Sequence, residues 1–167
     1  MPKAIHAPTG LSEHPVGREL YQADEHEWIA AQISALTEGR FNRLDRTHLV
    51  EYLSEMTVRD RRELQSRLTV LLQHLLKIRL QPARLTRSWV STILEQQREI
   101  RAIVAGIPSL GRQADAIAAT AYPDAVRAAS RDTGIPAAEF PATSPWTVAE
   151  TLAFDPPEPA ARAQRQR

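Results

Sequence analysis

The chain has 167 residues, 43% of them hydrophobic and 25% charged, with a net charge of +1 and no cysteine. That length suffices for one domain with its own hydrophobic core, and the missing cysteines exclude a disulfide framework, a thiolate metal site and a cysteine nucleophile. No apolar run approaches the roughly 20 residues of a membrane helix, and the polar stretch Met1–Pro15, with prolines at 2, 8 and 15, lacks the apolar middle of a signal peptide.

In chain order, residues 1–17 read as a disordered lead. A first helix is predicted from Arg18 to Thr37, where Tyr21, Trp28, Ile29, Ile33 and Leu36 recur at helical spacing and Asp24, Glu25 and Glu27 lie where the helix dipole favours acids. Gly39 stops it. In the link Arg40–Arg46, Phe41 and Leu44 are expected to point inward.

A second helix, Thr47–Met56, carries the stripe Leu49, Leu53, Met56. A third, Asp60–Leu80, has the widest apolar face: Leu64, Leu68, Leu71, Leu72, Leu75, Leu76 and Ile78. Such breadth predicts a central helix touched by several others. Pro82 ends it.

Thr86 or Ser88 can cap a fourth helix, with Trp89, Ile93, Ile100 and Ile103 on its inner face and Gln96 between them as a buried amide. A fifth is predicted from Leu110 to Thr133, capped by Ser109, kinked or split at Pro123 and ended by Gly134. A short last helix runs to Leu152, starting at Ser144-Pro145 or at the capping box Thr147-x-x-Glu150. Residues 156–167, rich in proline and arginine, read as a flexible tail. No segment has the alternation of a strand. The expected fold is therefore all-α: a single domain over 18–155, a bundle of five to six helices around the leucine-rich helix 60–80.

Charge is segregated. Residues 1–58 hold 5 basic and 9 acidic residues, 59–101 hold 10 and 4, and 102–167 hold 6 and 7. The basic middle either faces the acidic third within the fold or meets an acidic partner.

Several short runs occur together in order: Gly39-Arg40-Phe41-Asn42-Arg43-Leu44-Asp45 with Leu49 and Glu51; Ser66-Arg67-Leu68 leading to His74-Leu75-Leu76-Lys77 and Gln81-Pro82; Arg87-Ser88-Trp89 with Thr92-Ile93; Pro108-Ser109-Leu110; Tyr122 with Ala125; then Phe140-Pro141 and Pro145-Trp146-Thr147. From Tyr21 to Asp155 this set resembles the bacterial family called domain of unknown function 29. It departs from that pattern at Arg46 and Ile78, where an aromatic is common, and at Tyr52, where a second acid is common. The resemblance implies an all-helical protein of the bacterial cytoplasm and no assigned activity.

Six residues stand out as candidate binding residues: Glu51, Glu55, His74, Lys77, Arg87 and Trp89. His74 falls at the edge of the leucine face and Lys77 on the polar side, so with the Arg87-Ser88-Trp89 turn they can form a polar notch for an anion or a partner's carboxylate. The plainer alternative is a half-buried histidine with a satisfied ring nitrogen beside a lysine lying over apolar surface. His48, Glu51 and Glu55 share one helix face, but the order His-x-x-Glu on one helix, without a second copy, is poor for a di-metal site, and Glu51 and Glu55 can pair with Arg59 or Arg62 instead. No metal site or cofactor is expected.

Arg59, Arg61, Arg62, Arg67, Lys77, Arg79, Arg84 and Arg87 could form a basic stripe, though Asp60, Glu63, Glu95 and Glu99 interrupt it. There is no Gly-rich phosphate loop and no Ser-His-Asp order. The expectation is a non-enzymatic protein-interaction or regulatory module of the cytoplasm with a protein partner and no membrane. The alternative is a nucleic-acid-binding protein using residues 59–101, and an enzymatic or metal-binding role comes last.

Overall fold

The computed structural model describes residues 18–159. Among them are seven helices and no strand: α1 (Arg18–Ala23), α2 (Glu25–Thr37), α3 (Arg46–Leu80), α4 (Arg87–Gly106), α5 (Pro108–Gly111), α6 (Ala114–Thr133) and α7 (Val148–Ala153). The disordered lead 1–17 and most of the tail 156–167 expected from the sequence lie outside the described residues.

The chain divides into two compact units, one ending at Thr57 and one beginning at Val58, the boundary falling inside the unbroken α3.

In the first unit, the predicted single helix is two. The Asp24 backbone is extended, its N–H closes α1 on the Leu20 carbonyl, and its carboxylate accepts from the Glu27 N–H to cap α2. One residue serves both ends, as a short acceptor side chain can. Gly39, at φ +69°, turns the chain out of α2, and the Arg40 N–H returns to the Ala35 carbonyl. Trp28 is fully buried, with Tyr21 and Tyr52 edge-on to it at 4.7 and 5.7 Å. Phe41, expected inside, is 64% exposed, because residues 41–43 form a 3₁₀ turn that holds Leu44 but not Phe41 against the unit.

The predicted helices 47–56 and 60–80 are one helix of 35 residues. The junction Thr57-Val58-Arg59 contains no Gly or Pro, and β-branched residues lower helix propensity only slightly. With no turn there, no helix-turn-helix exists at this position. The expected stripe Leu49, Leu53, Met56 is also not an inner face: Leu53 and Met56 are exposed.

In the second unit the leucine face of α3 does what its breadth predicts. Leu64, Leu68, Leu71, Leu72, Leu75 and Leu76 are buried with Ile93 and Ile100 of α4, Leu110, Ile117 and the small residues Ala121, Ala125 and Ala129 of α6, closed by Phe140 and Val148. Each fully buried leucine contributes about 1.5–3 kcal/mol. Thr86, not Ser88, caps α4. The buried amide is Gln97, not Gln96: it lies in register with Ile93 and Ile100, and its Nε2 donates to the Thr151 and Phe154 carbonyls, tying α7 to α4. The predicted helix from Leu110 is interrupted at Arg112-Gln113, so that α5 is a single turn, and α6 runs unbroken past Pro123 to Gly134 at φ +75°. Of the two starts foreseen for α7, the capping box Thr147/Glu150 is the one used.

Candidate functional site

In the first unit, α1, the link residue Asp45 and the start of α3 line a polar pocket of about 440 Å³ with Tyr21, Gln22, Asp45, Thr47, His48 and Glu51. Asp45 immediately precedes α3 and accepts the backbone N–H of His48, an N-cap arrangement. Its Oδ2 lies 2.6 Å from His48 Nδ1 and accepts the Trp28 indole N–H at 3.3 Å. The Asp45 N–H in turn donates to the buried Gln32 Oε1. Burial would raise the Asp45 carboxyl, but the bonds from the His48 ring, the His48 backbone and Trp28 outweigh it and hold the group below its ordinary value. An ionised carboxylate only accepts, so Nδ1 of His48 carries the hydrogen and Nε2 is the ring nitrogen left over.

The Tyr21 ring lies 4.7 Å from that of His48. Its phenol is raised above its ordinary value by desolvation and then by the carboxylates of Glu51, Glu55 and Glu25. Those carboxylates therefore bear on one spot. Neither Glu51 nor Glu55 forms an ion pair among the described residues, so the expected pairing with Arg59 or Arg62 is not seen. No group of three or more His, Asp or Glu there could hold a metal ion.

The same unit exposes most of the large apolar side chains left uncovered. Ile33 and Leu36 stand one turn apart on α2, Phe41 follows, and Val50, Leu53 and Met56 lie on α3. Val50 is 66% exposed and Ile33 59%.

In the second unit, Lys77 was expected on the polar side of its helix. It is buried instead, 5% exposed. Its Nζ donates to Asp132 at 2.7 Å and lies 4.3 Å from the centre of the Trp89 ring. A cation there needs both the carboxylate and the ring to leave water. Gln73 donates to the same Asp132 oxygen. His74 is half-buried with Nδ1 bonded to the Val70 carbonyl; burial, more than the nearby Lys77, lowers its pKa. The predicted notch thus brings Lys77 and Trp89 together, and its anion is the protein's own Asp132. Arg87 opens α4, exposed and without an ion pair among the described residues.

Of the basic stripe, Arg67 is held by Glu63 and approaches Glu99, Arg61 donates to Gln113, and Arg79 lies over the Trp146 ring at 5.7 Å. Sequence reasoning missed Asp45 and Tyr21 in the first unit and Asp132 in the second. Asp45 had a local signal, an acceptor three residues before His48 at a helix start; Asp132 had none.

These elements define an all-α protein with no helix, among the described residues, long and apolar enough to cross a membrane. Residues 20–155 match the family described as Domain of unknown function DUF29, and the chain belongs to it. No curated protein and no solved structure matches the chain.

Proposed function

We propose that this protein is a non-enzymatic interaction module of the bacterial cytoplasm, and that its first unit receives an apolar helix with basic flanks from a partner protein. The exposed apolar set of α2 and α3 carries this reading: Ile33 and Leu36 on one helix, and Val50, Leu53 and Met56 on the other, recur at the three-residue step that places side chains on one helix face. The carboxylates of Glu25, Glu51 and Glu55 near Tyr21 supply the charge that steers a basic segment.

A photo-crosslinking residue placed at position 53 and, as a control, at exposed Ser109 tests it in lysate. A protein joined at 53 and not at 109 is the expected result. Crosslinks to nucleic acid, and none to protein, would shift the assignment to the exposed arginines Arg59, Arg62, Arg84 and Arg87.

A further inference from the structure

A second surface lies wholly in the second unit. α6 and the segment 142–150 enclose a groove of about 460 Å³. Asp115, Ala118, Ala119, Tyr122 and Pro123 line it from α6, at the spacing of one helix face; Pro145, Trp146 and Glu150 line it from the other side. The floor is small at the two alanines, so a chain can approach closely. That volume seats one long side chain and its neighbours, not a helix about 10–12 Å across.

The walls are fixed. The Tyr122 hydroxyl donates to the Pro141 carbonyl at 2.8 Å. Ser144 Oγ donates to the Trp146 carbonyl and accepts its N–H. Asp115 Oδ1 accepts the Val148 N–H at 2.7 Å, and Glu150 Oε2 accepts from the Thr147 N–H and hydroxyl. Each carboxylate spends one oxygen on holding the loop and keeps the other. Among the described residues neither takes part in an ion pair, while nearby Asp124 is already met by Arg127. The groove therefore joins apolar and aromatic walls to two carboxylates outside any ion pair among the described residues, with the Arg79 guanidinium over Trp146 as a neighbouring cation.

We infer that this groove binds an extended, arginine-bearing segment of a partner protein. Arginine fits because its stem covers apolar surface and its planar fork of N–H donors meets two carboxylate oxygens. A lysine offers a point charge and no plane. Exposed Ala119, Pro123 and Pro145 give apolar contact to the residues flanking the arginine in sequence. The loop is already held, so ordering it costs little on binding.

The test is an amide and indole N–H NMR titration of the full chain with acetyl-Ala-Pro-Arg-Leu-amide, the same peptide with norleucine for arginine, and free arginine. The arginine peptide should shift the Trp146 indole and the Asp115, Ala119 and Glu150 amides saturably. The norleucine peptide and free arginine should each bind about tenfold more weakly. The double variant Asp115→Asn, Glu150→Gln keeps the acceptors that hold the loop and removes both charges. It should lose about tenfold in affinity for the arginine peptide at unchanged Tm. No shift at millimolar arginine peptide overturns the inference, as does equal binding of the norleucine peptide, equal binding of free arginine, or undiminished binding by the folded double variant. Should the double variant unfold, the three ligands on the unsubstituted chain still decide.

Discussion

The Nζ of Lys77 is held between the Asp132 carboxylate, 2.7 Å away, and the face of Trp89, 4.3 Å away. The two partners of this ion pair differ in exposure: the Lys77 side chain is 7% exposed and that of Asp132 41%. Removing each should therefore cost differently. Lys77→Met leaves a carboxylate that water can reach and a side chain that still packs on Trp89, so stability should change by less than about 1 kcal/mol. Asp132→Ala strands a buried ammonium and an unpaired Gln73 amide, and should cost about 1–3 kcal/mol, toward the lower end because the lost carboxylate is partly solvated. Chemical denaturation of both variants checks the order. Equal losses would mean that the pair acts only through packing.

Two groups of the second unit give acid sensitivity in separate windows. The hydrogen bond from Lys77, with that from Gln73, holds Asp132 below its ordinary 3.8. Its contribution is complete above that value and is lost as pH falls through the folded pKa. His74 is lowered from 6.5, chiefly by burial. Between its folded value and 6.5 the unfolded chain binds the extra proton, so stability is full above 6.5 and declines as pH falls below it. Tm measured against pH should drop in both windows. His74→Leu should flatten the upper step, and Asp132→Asn should reduce the lower one, to which Asp45 and Glu150, also held below their ordinary values, contribute as well; an upper step that survives His74→Leu, or a lower one undiminished by Asp132→Asn, belongs to other groups.

Gln97 ties α4 to the Thr151 and Phe154 carbonyls from the buried side, beside the exposed Arg101, which donates to the Leu152 carbonyl. Gln97→Leu keeps the volume and leaves two carbonyls without their donor. The expected loss is about 2–3 kcal/mol, with hydrogen exchange accelerated first over Val148–Ala153. Uniform acceleration across α3, α4 and α6 would contradict a local tie.

Asp45 should matter more than its place in a connecting segment suggests. Asp45→Ala removes the cap on α3 and the acceptor for both His48 and Trp28, and should cost about 2 kcal/mol or more. Asp45→Asn, which keeps an acceptor, should recover part of that, and the Trp28 indole shift in NMR reports whether its bond persists.

How much of this was legible in the sequence depended on range. Leu64 to Leu76 recur so regularly that helix, core and central position follow from spacing alone. Asp24 and Thr147/Glu150 act on neighbours three residues away, and such caps are written locally, although Asp24 read as a residue inside a helix because nothing nearby marked the break. The continuity of α3 was hidden because Thr57 and Asp60 interrupt its apolar stripe: Leu53 and Leu64, eleven residues apart, fall on one face, but the gap between them looks like the end of one helix and the start of another. Lys77 could not be placed at all, since what buries it is Asp132, 55 residues on. The pocket of the first unit was half legible. His48, Glu51 and Glu55 share a helix face by spacing, but Tyr21 and Trp28 join them only through the fold.

The most direct test of the account compares the unsubstituted chain with Ile33→Ser, Leu53→Ser in a nuclease-treated bacterial lysate, retained partners being quantified by mass spectrometry. Both positions are exposed, so Tm should stay within a degree or two. One protein should be held in near-equal amount by the unsubstituted chain and reduced at least about tenfold by the double variant. A partner retained equally by both, or retention of nucleic acid alone in untreated lysate, would contradict it.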